Sequence, residues 1–82
     1  MICRYEFKLR AICPIHECAD VYDCVVESTE TIFVEKLLEF ANGCAAKKET
    51  QEQITETMAK QFPNCRITTV GYHSNVKTTV IA

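Results

Sequence analysis

The stretch RYEFKLRAIC constrains this chain more than any other. Tyr5, Phe7, Leu9, Ala11 and Cys13 alternate with Glu6, Lys8 and Arg10. A period of two places the apolar set on one face and the charged set on the other, as in a half-buried β-strand. Wound as a helix, the same residues would scatter charge around every side. The apolar face has to be covered, and the charged face has to meet water, a partner subunit or a lumen. Pro14 has no N–H to give a ladder, so regular pairing stops there.

The remaining elements follow from this first strand. VYDCVVES reads as a second strand, joined to the first by PIHECAD in a hairpin. STETIFVEKLLEFANGC reads as a helix, with Phe33, Leu37, Phe40 and Ala41 as its stripe and Val34 and Leu38 widening it. Ser28, Thr29 and Thr31 are candidate N-caps, and Asn42 and Gly43 are stop signals. ETQEQITETMAKQF is a second helix with Ile54, Met58 and Phe62 inward. Thr50 and Gln53 fit a capping box at its start. CRITTVGY and VKTTVIA, rich in β-branched residues, are two more strands around a tight turn near HSN. The order β-β-α-α-β-β predicts one α+β domain over residues 1–82: an antiparallel four-stranded sheet with two helices on one face. Phe33, Leu37, Phe40, Ile54, Met58 and Phe62 are expected in the core.

Composition narrows the function. The net charge is -2 and the nine Lys and Arg residues are scattered, which argues against a nucleic-acid binder. The charged start, MICRYEFKLR, is no signal peptide, and no apolar run approaches the roughly 20 residues that span a bilayer. A cytoplasmic protein without membrane contact is expected. The six cysteines are then expected as thiols, mostly structural. A chain this short buries a modest share of its surface, so self-association is expected to add stability.

Two motifs carry chemistry. CPIHEC brings Cys13, His16 and Cys18 within a few residues of a strand end, as a metal or thiol site would. The plain alternative places Cys13 on the apolar strand face and His16 in an exposed turn. TQEQIT opens the second helix with Glu52, either an anchor for a ligand or an acid favoured in a first turn.

With its β-β-α-α-β-β order, the chain resembles the T-fold (tunnelling-fold) superfamily over nearly its whole length. That superfamily includes GTP cyclohydrolase I, pyruvoyltetrahydropterin synthase and the nitrile reductase of queuosine synthesis. TQEQIT is similar to the Gln-Glu-Arg-Leu-Thr stretch of GTP cyclohydrolase I, whose glutamate anchors the guanidine-like ring edge. The resemblance implies that Glu52 binds a purine- or pterin-like molecule through two parallel hydrogen bonds. CPIH is similar to the Cys-x-x-His pair that binds zinc in that enzyme, which implies Cys13 and His16 as metal ligands. His73 in YHSN matches the histidine near the third ligand, but Asn75 stands where the ligating cysteine would be. Cys18 or His73 would have to substitute. Cys13, His16 and His73 are the implied catalytic residues. VESTE resembles the Glu-Ser-Lys-Ser stretch of the reductase branch, with Glu27 and Ser28 matching and Thr29 in place of lysine. That branch forms a covalent thioimide between a cysteine and a nitrile; no cysteine here sits in a matching motif. The three-histidine zinc site of the synthase branch cannot be assembled from two histidines.

Two functions are therefore expected. One is binding of a purine- or pterin-like molecule at the interface of a homo-oligomer, with GTP cyclohydrolase-like or deazapurine chemistry and zinc as its catalytic form. The other is a non-catalytic assembly module on the same frame. A ring that stabilises the folded protein would separate them.

Overall fold

The computed structural model describes residues 1–82. Six elements follow in the expected order: β1 (Cys3–Ile12), β2 (Ala19–Ser28), α1 (Val34–Cys44), α2 (Gln51–Gln61), β3 (Arg66–His73) and β4 (Val76–Ile81). The strands form one antiparallel sheet in the order β1-β2-β3-β4. The helix pair links β2 to β3; α1 packs on β1, and α2 on β3 and β4.

Register aligns the apolar face across the sheet. Leu9 lies opposite Tyr22, Phe7 opposite Cys24 and Tyr5 opposite Val26. Val26 in turn lies opposite Ile67. These residues and the inward sides of α1 and α2 form one core containing Leu37, Cys44, Ile54, Met58 and Phe62. Burying each large apolar side chain contributes about 1.5–3 kcal/mol. The other face of β1 stays wet, with Arg4, Glu6, Lys8 and Arg10 all exposed. Arg4 pairs with Glu27 at 3.4 Å and Lys8 with Asp23 at 3.1 Å. Such exposed ion pairs add little stability.

The first helix departs from its sequence reading. It begins after Phe33, without a side-chain cap, rather than at Ser28, Thr29 or Thr31. Ser28 instead accepts the Glu30 N–H at 3.0 Å, turning the chain as it leaves β2. Tyr5 Oη accepts the Ile32 N–H at 2.9 Å and ties that turn to β1. The helix also runs through Asn42 and Gly43 to Cys44. Its buried stripe is narrower than predicted: Phe33, Val34 and Leu38 are exposed, whereas Leu37 and Cys44 are buried. Packed on the single edge strand β1, the helix buries only one narrow line of side chains.

The second helix starts as its sequence predicts. Thr50 Oγ1 accepts the Gln53 N–H at 3.2 Å, and Gln53 Oε1 accepts the Thr50 N–H at 2.9 Å. Thr50→Ala removes half of this reciprocal pair and is expected to cost about 1 kcal/mol. Thermal melts should show a fall of roughly 4–8 °C.

Candidate functional site

Three segments distant in sequence meet where β1 ends and α2 begins. The β1–β2 hairpin closes with the Cys13 N–H donating to Cys18 O at 2.8 Å, and the Glu17 N–H donating to Cys13 O at 2.9 Å. Glu17 takes a left-handed conformation, φ 57°, to complete the four-residue loop. The Ile12 N–H donates to Lys47 O at 3.0 Å, and Lys48 pairs with Glu17. These contacts fasten the hairpin end to the segment that enters α2. From the other side, the β3–β4 hairpin brings His73 to the same place.

The result is a pocket of about 330 Å3 lined by Cys13, Asp20, Tyr22, Gln51, Glu52 and His73, with Pro14, Ile15, Thr50 and Thr78 at its walls. Its size falls within the roughly 300–1,000 Å3 of small-molecule sites. A larger groove of about 680 Å3 runs between the helices, but its lining, which includes Glu39, Lys47, Lys48 and Gln61, gathers none of these groups.

Of the residues singled out from sequence, Cys13, Glu52 and His73 come together here. His16 does not; it is exposed on the hairpin loop, outside the pocket. Tyr72 points to the opposite face of the sheet from His73, as alternation requires, and is exposed. No group of three or more His, Cys, Asp or Glu side chains is placed to hold a metal ion. Cys13 and His16 are thus not joined by a third donor within one chain. All six cysteines are free thiols.

Sequence reasoning missed Asp20, Tyr22 and Gln51. Asp20 falls in the segment read as the hairpin connection, yet it lies in β2 opposite Ala11. Alternation backward from Tyr22 is the signal that places it on the inner face. Tyr22 Oη donates to Asp20 Oδ2 at 3.3 Å. Burial pushes the Tyr22 phenol far above its ordinary range, and the Asp20 charge pushes further. Gln51 opens α2 and is 1% exposed. Its Nε2 shares two N–H groups among Thr69 O, Thr69 Oγ1 and Thr78 O at 3.1, 3.2 and 3.0 Å, and its Oε1 lies 2.9 Å from His73 Nε2. Glu52 follows at the exposed start of the helix, where the N-terminal dipole favours a carboxylate.

Two thiols lie in the core, away from this pocket. Burial, with the Asp23 charge, pushes Cys24 from 9.0 up to about 12, and burial also raises Cys44. For Cys24 the folded state holds its proton where the unfolded chain has lost it. Stability is therefore complete below the unfolded value of 9.0 and falls as pH rises toward about 12. Tyr22 acts in the same direction. Urea melts should show stability unchanged from neutral pH to about 8 and declining at about 10.

No family model and no curated protein matches the chain. Among solved structures, the chain is similar to a crystal structure of the archaeosine synthase QueF-Like in the apo form. The TM-score is 0.91 at 16% identity, covering 99% of this chain and 90% of that one. At this identity the likeness is one of architecture: the chain has a T-fold.

Proposed function

We propose that the chain binds a purine-like ring, of the deazapurine class, with Glu52 as the anchor and Cys13 as the nucleophile. The observation that carries this is the meeting of Cys13, Asp20, Glu52 and His73 in one pocket of ring size. Glu52 offers two carboxylate oxygens to neighbouring ring N–H groups. The T-fold likeness to an archaeosine synthase supports a deazapurine over a pterin. The resemblance to the nitrile reductase of queuosine synthesis supports a nitrile as the electrophile.

The step is an addition. Cys13 Sγ forms a bond to the nitrile carbon as one C–N π bond breaks. The thiol proton moves to the nitrile nitrogen through Asp20, leaving a neutral thioimidate with no oxidant or reductant consumed. The zinc reading borrowed from GTP cyclohydrolase I enters no step, because its donors are not gathered in one chain. β1 and β4 are the outer strands of the sheet, and the β1 edge is engaged within the chain only at Ile12, by Lys47 and Lys48. Strand pairing between copies at those edges would make a homo-oligomer and place neighbouring residues at the pocket mouth.

Intact-mass measurement after incubation with a deazapurine nitrile tests the reading. The expected result is a gain equal to the whole ligand mass in the wild type and none in Cys13→Ser. A mass gain that survives Cys13→Ser, or no gain in either protein, would contradict the nucleophile assignment.

A further inference from the structure

We propose that Gln51 is a positioning residue that fixes the His73 imidazole with its proton on Nε2, so that a neutral His73 keeps its lone pair on Nδ1. This rests on the pocket reading above and goes beyond it, because the hydrogen-bond chain behind His73 has one consistent direction.

The chain can be followed proton by proton. Thr55 Oγ1 lies 2.7 Å from Gln51 O, a carbonyl that only accepts, so the Thr55 hydroxyl proton is committed there. Thr55 Oγ1 also lies 2.7 Å from Thr69 Oγ1. With its proton already used, Thr55 accepts, and Thr69 donates. Thr69 Oγ1 is then free to accept from the Gln51 amide, 3.2 Å away. The Gln51 amide nitrogen also faces two backbone carbonyls, Thr69 O at 3.1 Å and Thr78 O at 3.0 Å. Turning the amide over would set an oxygen against those two oxygens in a buried site. The orientation is therefore chemically fixed.

That leaves Gln51 Oε1 facing His73 Nε2 at 2.9 Å. An amide oxygen only accepts, so Nε2 carries hydrogen. A neutral His73 then has its lone pair on Nδ1 alone. Gln51, Thr55 and Thr69 are each 1% exposed or less, so water does not compete for the bonds among them; the exposed His73 ring meets this buried set at the Gln51 amide. The pocket that Cys13 and His73 both line thus contains a histidine able to take a proton at one defined atom.

Long-range proton–nitrogen NMR spectra of the ligand-free protein, recorded in alkaline buffer with the imidazoles neutral, test this. The exposed His16 is an internal reference for an unconstrained ring. The wild type is expected to show His73 as the pure Nε2–H form, with His16 as a mixture of tautomers. In Gln51→Met, which keeps length but removes the amide, His73 is expected to join His16 as a mixture. A mixed or Nδ1–H His73 in the wild type would overturn the proposal, as would a Gln51→Met spectrum identical to wild type. If Gln51→Met does not fold, Thr69→Val provides the second variant: it removes the hydroxyl but leaves both carbonyls holding the amide, so His73 should remain Nε2–H. Loss of the pure form there would overturn the assignment. No ligand is present in these spectra, so a failure of ring binding counts against the function above and leaves the tautomer assignment intact.

Discussion

Gly71→Ala is expected to destabilise the domain by about 2–3 kcal/mol and to displace the Tyr22 wall of the pocket. Gly71 is buried in β3, one step past the Asp23–Val70 pair, against the ring of Tyr22. A Cβ there would stand 2.5 Å from Tyr22 Cδ1 and 2.6 Å from Cε1. The ring has little room to retreat, because Tyr22 is 1% exposed and lies opposite Leu9. Moving it also strains the Tyr22–Asp20 hydrogen bond and the pocket wall. Melting temperature should fall by roughly 10–20 °C. Gly43→Ala is the control, since a Cβ there meets nothing within 4 Å. In the last turn of α1 the same methyl is expected to be neutral or to stabilise by up to about 0.5 kcal/mol. Equal effects from the two substitutions would refute this role for Gly71.

The physics of single elements was legible in the sequence. Alternation in β1 and the Thr50–Gln53 box depend on residues close in the chain, and both appear as expected. Glu52, Cys13 and His73 were visible as chemistry-bearing residues, each by its place at an element's end. Their meeting was not visible, because it depends on the sheet order and on the Ile12–Lys47 hydrogen bond, which no local pattern encodes. Phe33 and Leu38 show the converse limit. They sit at helical spacing with buried residues, yet both are exposed, and Phe33 falls outside the helix as its N-cap. Gln51 was hidden for another reason. A polar residue in a helix's first turn reads as solvated, and only tertiary partners reveal a buried amide with its donors and acceptor used.

Glu52→Ala is expected to lower ring affinity by about 100-fold or more while leaving the fold in place. Hydrogen bonds to a charged group contribute about 1.5–3 kcal/mol each, and the anchor makes two. Together they exceed the 2.7 kcal/mol or so that corresponds to 100-fold. The carboxylate is exposed in the free protein, so its removal costs the fold little beyond its interaction with the helix N-terminus. Glu52→Gln should fall nearly as far, because an amide replaces one acceptor by a donor that opposes the ring N–H.

The most direct measurement is a calorimetric titration of wild type, Glu52→Ala and Glu52→Gln with a deazapurine nitrile, with oligomeric state checked in parallel. Anchoring by Glu52 predicts saturable binding by the wild type and a loss of about 100-fold in both variants, with assembly unchanged. Equal affinity in all three proteins, or no wild-type binding, would contradict it.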